Sequence, residues 1–443
     1  MNSYPSYKDS GVEWMGEIPS DWIKSKFKYE TNVPVQYGIN TSSEFYIENG
    51  IRFIRTTDIT DDGKIKEGGV YLEIDSVEDI YRTKINDFLI SRSGTLGRTY
   101  LHNNENEMTY GGYLVRFNFG DKTKSKFIFY YSKSKNFEDW LSLNTIQSTI
   151  GNVNGQKYSN LSVPLPPKET QTQIVSFLDT KTQKIDELIE KTEQKIELLK
   201  EKRTSLINHC VTKGLNPNVG MKDSGVEWIG EIPSHWILNK VGNNTYVKGR
   251  IGWKGLRSED FIDEGPYLIT GTDFNSDGTI NWNNMYHVDQ QRYDEDPFIQ
   301  LKDNDVLITK DGTIGKVVHV GNLKGQTCLN SGIFLTRPTN NQYVSRFFFW
   351  MLKSNVFKIF VDYNSGGSTI QHLYQNVFIN LKFPIPPLEE QTQIIEYLDD
   401  QTQKIDTTIE KEAKRIELLK EYRQSLISEV VTGKIDVRNE VVV

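Results

Sequence analysis

Cysteine is almost absent. Two residues in 443, Cys210 and Cys328, cannot build a disulfide framework, and neither has a second cysteine or a histidine at metal-ligand spacing. That usage fits a reducing cytoplasm. Histidine is nearly as sparse, with six scattered residues, no His-Glu-x-x-His and none at matched places in the two halves of the chain, which argues against histidine catalysis or metal binding. Long apolar runs are missing too: the longest, Phe347 to Leu352, has six residues and stops at Lys353, far short of a membrane span. The start, MNSYPSYKDSG, lacks the basic and apolar blocks of a secretory signal. What is present is aromatic: 22 Tyr, 21 Phe and 8 Trp at 25% charged residues describe a folded globular chain rather than a disordered one.

No strong excess of charge marks a nucleic-acid binder, since the formal net charge is -7. The acidity is unevenly placed. Residues 23-163 carry 18 Lys+Arg against 17 Asp+Glu and residues 237-383 carry 15 against 14, whereas 388-434 carry 7 against 11. The two long middle stretches are therefore free to gather cations on one face.

A tandem duplication sets the architecture. Lys8 to Trp22 (KDSGVEWMGEIPSDW) and Lys222 to Trp236 (KDSGVEWIGEIPSHW) share 13 of 15 residues, and Pro164 to Thr212 matches Pro384 to Thr432 at 30 of 49 without a gap. Between these frames the likeness shrinks to fragments such as SGTLGR (Ser93 to Arg98) against DGTIGK (Asp311 to Lys316). Two divergent inserts thus sit in nearly identical frames.

The second block of each frame reads as a long helix. After Pro166-Pro167 and Pro386-Pro387, apolar residues Leu178, Ile185, Ile189, Ile196, Leu199, Leu206 and Cys210 recur as a heptad seam, repeated by Leu398, Ile405, Ile409, Ile416, Leu419, Leu426 and Val430. Each run stops near a glycine, Gly214 or Gly433. A helix of this length reaches roughly 65 Å, and the matching seams predict an antiparallel coiled coil between the two copies, with pairing to another chain as the alternative. The inserts alternate strand-like runs (IRFIRTTDI, DFLISRSG, YLVRFNF; PYLITGTDF, DVLITKDG, GIFLTRP) with Gly-containing turns. KFIFYYSKSKNFEDWL and RFFFWMLKSNVFKIFV read as one amphipathic helix each, their aromatics in the core. The expected class is α+β: two such domains in tandem, each followed by a long helix.

No catalytic constellation emerges. GTIGKV (Gly312 to Val317) lacks the spacing of a phosphate-binding loop, no adenine-methylase Asn-Pro-Pro-aromatic motif occurs, and the Glu-x-Lys triplets at Glu193 and Glu412 fall out of register on the rods. Candidate DNA contacts lie instead in the paired turns, Arg92, Ser93, Thr95 and Arg98 in one and Lys310, Thr313 and Lys316 in the other. Their glycines allow tight backbone and their cations suit phosphates or guanine edges. A second candidate is the loop before each rod, with Thr149, Asn152 and Asn154 in the first copy and Thr369, Gln371 and His372 in the second.

Two similar domains on paired rods have the pseudo-twofold symmetry of duplex DNA, so they suit two half-sites at a fixed separation. SGVEWxGEIPxxW given twice, the GTxG turns, and the PLPPKETQTQI and PIPPLEEQTQI lead-ins to long helices resemble the specificity subunit of type I restriction-modification enzymes over nearly the whole chain. VPVQYGINTSS (Val33 to Ser43) departs from that pattern, lacking a glycine-threonine opening. The resemblance implies a first target recognition domain at 1-163, a conserved spacer helix at 164-214, a second recognition domain at 215-383, a second spacer helix at 384-434 and a tail at 435-443. It implies a cytoplasmic, non-catalytic subunit that binds an asymmetric bipartite double-stranded DNA target and recruits two methylase and further restriction subunits. No cofactor is expected in this chain; S-adenosylmethionine, ATP and Mg²⁺ are expected in the partners, and no membrane. A coiled-coil scaffold that binds only protein explains the rods but leaves the divergent inserts without a purpose.

Overall fold

The computed structural model describes residues 2-145, 151-250, 261-364 and 372-440. The chain forms two compact units, residues 1-193 with 414-443 and residues 194-413. Each contains one insert and portions of both long helices.

In the first unit the frame motif is a β-ribbon, Tyr7–Asp9 against Glu17–Pro19, ending on Trp22, which is fully buried. The insert is zipped shut where it enters and leaves, because Ile23–Lys26 pairs antiparallel with Ser162–Leu165. Its strands are β1 (Gln36–Tyr37), β2 (Ile51–Ile54), β3 (Val70–Leu72), β4 (Asp87–Ser91), β5 (Thr99–Leu101), β6 (Met108–Tyr110) and β7 (Leu114–Asn118). They make an antiparallel sheet in the order β1-β7-β4-β5 and a smaller one in the order β3-β2-β6, in which β2 and β6 run parallel. Helices α1 (Lys122–Tyr131) and α2 (Lys135–Asn144) follow, then the rod α3 (Lys168–Lys213).

The second unit repeats this plan. The ribbon is Met221–Asp223 against Glu231–Pro233, and the zipper is Ile237–Lys240 against Lys382–Ile385. Strands β8 (Thr245–Lys248), β9 (Ile262–Ile269), β10 (Tyr286–His287), β11 (Val306–Thr309), β12 (Val317–His319), β13 (Thr327–Leu329) and β14 (Ile333–Pro338) form sheets β8-β14-β11-β12 and β10-β9-β13, with β9 and β13 parallel. Helices α4 (Ser345–Leu352) and α5 (Asn355–Asn364) and the rod α6 (Leu388–Val431) complete it. Inserts of scattered sequence likeness therefore share one topology.

Each aromatic segment read as a single helix is two helices with a corner. Ser134 Oγ accepts the Phe137 N–H and Ser354 Oγ the Val356 N–H, so each serine starts a new helix instead of continuing the old one. The aromatics are core, as expected: Phe127, Phe137, Phe347 and Phe349 are buried, Trp140 and Trp350 nearly so.

The rods begin and end alike. Gln171 caps the start of α3 by donating its side-chain amide to the Pro166 carbonyl at 2.8 Å, as Gln391 does to Pro386 at 2.8 Å. Gly214 and Gly433 stop the helices at φ 77° and 76°. In the first unit Leu178 and Ile185 of α3 share a core with Leu426 and Val430 of α6, and Arg423 pairs with Asp186 at 2.8 Å. In the second, Cys210 of α3 shares a core with Leu398 of α6, and Arg203–Asp406 and Lys195–Glu412 run in opposite directions along the two helices. The pairing is antiparallel, as the seams predict. Ile189, Ile196, Leu199, Ile409, Ile416 and Leu419 are only half-buried, since two helices alone leave the flanks of a seam open, whereas insert helices help cover its ends.

Candidate nucleic-acid interface

The paired turns are wired identically. Between β4 and β5, the Ser91 hydroxyl donates to the Thr95 carbonyl and accepts the Arg98 N–H at 2.9 Å, while Gly97 N–H reaches Ser91 O at 3.1 Å. Between β11 and β12, the Thr309 hydroxyl donates to the Thr313 carbonyl at 2.6 Å and accepts the Lys316 N–H at 3.0 Å, with Gly315 N–H on Thr309 O at 3.0 Å. A hydroxyl at the end of the strand thus replaces a ladder partner and closes the turn. Gly94 and Gly97, like Gly312 and Gly315, take positive φ, which explains two glycines at a three-residue spacing. At Gly97 a Cβ would also lie 2.3 Å from Leu141 Cδ1 of α2.

Each turn lies beside the segment that leads to the rod. Val153 N–H bonds Arg92 O at 3.0 Å and Ser93 bridges Asn152; Leu373 N–H bonds Lys310 O at 2.9 Å and Asp311 bridges His372. The structure therefore joins the two candidate segments in each insert. Thr149, Thr369 and Gln371 lie outside the described residues.

The candidate cations differ in availability. Arg92 is half-buried, its guanidinium 5.0 Å above the Tyr37 ring, and the Tyr37 hydroxyl accepts the Gly155 N–H at 2.9 Å. Arg98 is turned inward, donating to Asp61 at 2.8 Å and to the Ile59 carbonyl at 2.9 Å. Lys310 sits 3.5 Å from the Asp311 carboxylate and 5.6 Å above the Phe334 ring. Lys316 and Thr313 are exposed, Ser93 is buried, and Thr95 donates to the Thr56 carbonyl at 3.2 Å. Tyr37, exposed Tyr113 and Asp311 belong to this surface but were not picked out by sequence reasoning. Tyr37 falls in the stretch that departs from the family pattern, and its position beside Arg92 depends on strand β1 joining β7.

Burial pushes the Cys210 thiol up to about 11 and the His319 imidazole down to about 4, leaving both neutral. No group of three or more His, Cys, Asp or Glu residues is placed to hold a metal among the described residues. No helix among them is long and apolar enough to cross a membrane. Hydroxyls, amides, cations and one carboxylate on a glycine-shaped turn equip the surface for hydrogen-bonded recognition.

A family model described as the type I restriction modification DNA specificity domain matches residues 36-198 and again 251-418. The MjaVIII specificity subunit of a type I restriction enzyme from Methanocaldococcus jannaschii is 27% identical over 321 residues, 71% of each chain. Among solved structures, the HsdS subunit from Thermoanaerobacter tengcongensis has a TM-score of 0.54 at 16% identity, covering 94% of this chain and 98% of its own. A chain solved in work on assembly and conformational transition of the type I R-M system reaches 0.72 at 16% identity, covering 94% and 99%. With one family matched in each half and that fold carried across both, the chain belongs to the type I restriction-modification DNA specificity subunits, which recognise DNA targets and are not themselves catalytic.

Proposed function

We propose that each insert reads one half of an asymmetric, bipartite double-stranded DNA sequence, and that the frames recruit two methylase subunits, which restriction subunits join. The recognition domains are residues 1-163 and 215-383; 164-214 and 384-434 are the spacer helices, followed by a tail at 435-443. The observation that carries this reading is that two inserts of one topology and one turn wiring present different side chains at matched places. Divergence on a common scaffold is what two different half-sites require, since bases are read by side chains on a positioned backbone. Arg92, Thr95 and Thr149 in the first insert, and Lys310, Thr313, Lys316, Thr369 and Gln371 in the second, supply the contacts, whereas Ser93, being buried, shapes the turn, and Arg98 reaches a phosphate only by leaving Asp61. This chain needs no cofactor for that task. S-adenosylmethionine, ATP and Mg²⁺ serve the partners, and the complex works in the cytoplasm.

The test is exchange of residues 23-163 for the first recognition domain of another family member, followed by mapping of methylated bases in cells that also express the partner subunits. One half-site changes and the other stays. A change in both halves together overturns the two-reader reading.

A further inference from the structure

The two inserts hold different chemistry at one place, the bridge between the glycine turn and the segment leading to the rod. In the first insert that bridge joins Ser93 to Asn152, and in the second Asp311 to His372. The backbones around them superpose in their bonding: Arg92 N–H to Tyr113 O at 2.9 Å matches Lys310 N–H to Gly332 O at 2.8 Å, and the Val153 and Leu373 N–H bonds match as given above. What changes is the side-chain pair, from a hydroxyl with a carboxamide to a carboxylate with an imidazole.

A carboxylate on a surface that meets DNA is unfavourable near phosphates, yet it is the side chain that accepts from an exocyclic amino group and rejects a carbonyl. Asp311 is built for that task. One of its oxygens contacts His372 Nδ1, the other lies 3.5 Å from Lys310 Nζ, and the side chain keeps 39% of its exposure. The 3.5 Å separation is long for a hydrogen bond, so the second oxygen retains accepting capacity. Lys310 meanwhile offsets its repulsion from a phosphate backbone. Lys316, the exposed cation of the same turn, faces no carboxylate partner among the described ion pairs and supplies the phosphate contact that Lys310 is less free to make.

We propose that Asp311, held by His372 and Lys310, is a specificity-determining residue of the second half-site, accepting a hydrogen bond from the exocyclic amino group of a cytosine or adenine in the major groove, and that Asn152, beside the buried Ser93, is the corresponding neutral reader in the first. This assignment rests on the two-reader function above. It names the chemistry that separates the half-sites.

The experiment uses the full chain co-expressed with its methylase partners. Asp311→Asn keeps the shape and adds a donor, so the methylated motif relaxes or changes at one position of the second half-site and stays the same in the first. A second variant, Ser93→Asp with Asn152→His, carries the pair into the first reader and alters the first half-site alone. Should a variant complex fail to methylate, its binding to duplexes permuted at each half-site position is measured: wild type discriminates at one second-half position by about tenfold or more, and Asp311→Asn flattens that position. A binding profile and motif identical to wild type in Asp311→Asn overturn the assignment. Absence of any bipartite motif in the wild-type complex overturns the two-reader function instead.

Discussion

The frame of each unit contains the same joint between a ribbon, a buried tryptophan and the glycine that ends a rod, but the two joints are closed differently. In the second unit Gly214 lies 3.0 Å, measured from its would-be Cβ, from the Trp236 ring, and the chain runs directly from that glycine into the ribbon at Met221. In the first unit the glycine against Trp22 is Gly433, hundreds of residues away in sequence, and only non-covalent contacts complete the joint. Asn2 bridges Asp436, the Tyr7 hydroxyl donates to Gly433 O at 3.1 Å, and Arg438 pairs with Asp436 at 2.7 Å while stacking 4.7 Å above Tyr4. The tryptophan environments differ as well. Trp236 donates its indole N–H to Glu390 at 2.9 Å, and His235 meets the other carboxylate oxygen at 2.7 Å; the Trp22 indole N–H has no partner among the described residues. Glu390 and His235 are replaced there by Thr170 and Asp21. The shape of a joint thus survives loss of its covalent link and of its polar bond, because a large buried ring and a glycine without a Cβ are sufficient to form it.

The largest effects fall on the two buried rings. Trp22→Ala and Trp236→Ala each remove a fully buried side chain and are expected to cost about 3–5 kcal/mol, each read as faster hydrogen exchange confined to its own unit. Equal effects in both units from either variant would show that the joints are not independent.

The turns come next. Gly97→Ala meets both a positive φ and Leu141, whereas Gly315→Ala, at φ 84°, finds Phe357 at an ordinary 3.7 Å. The first is expected to cost about 2–3 kcal/mol and the second about 1 kcal/mol, measured as the drop in melting temperature of each variant. A reversed order would mean that α2 yields more easily than backbone strain.

Glu390→Thr gives the second joint the residue of the first. It leaves the Trp236 N–H unpartnered, for an expected loss of about 1–2 kcal/mol, while Thr170→Ala, which touches no such bond, changes little. Chemical denaturation of the two variants side by side distinguishes them.

The smallest effect concerns the helix corners. Lys133 lies at the first corner, donating to the Asp61 carbonyl at 2.9 Å, and burial, reinforced by nearby Arg423 and Arg98 against Asp61 and Asp62, pushes its ammonium down to about 8. Lys353 occupies the same place on the Ser276 carbonyl at 3.1 Å and is also shifted down by burial. The folded chain releases this proton before the unfolded chain does. The cost of the buried charge is therefore full below about pH 8 and fades as pH rises toward the ordinary lysine value. Partial exposure reduces the effect to about 1 kcal/mol. Stability measured across this window rises with pH in wild type, and the rise shrinks in Lys133→Met; an unchanged slope would place the titration elsewhere.

Much of this was legible in the chain because it depends on local pattern. The heptad seams, the Pro-Pro starts and glycine stops of the rods and the six strand-like runs all formed as read, and the paired GTxG turns matched in bonding down to the strand-end hydroxyl. The corners were missed because a hydroxyl that starts a new helix looks the same in sequence as a serine passing through one. The inward turn of Arg98 was missed because Asp61 lies 37 residues away, a separation at which charge patterning has no predictive value.

Sequence by itself determined that the chain is duplicated, that near-identical frames enclose divergent inserts, and that two long amphipathic helices carry matching seams that must be covered; these follow from identity and periodicity, which need no third dimension. Tertiary structure alone decided that scattered likeness conceals one sheet topology, that the turn and the rod lead-in form a single surface, and which cations on it are already held by Asp61, Asp311 or an aromatic ring. The physical reason is that hydrogen-bond and charge pairing depend on separations of a few ångströms between residues far apart in the chain, and only the folded backbone sets those separations.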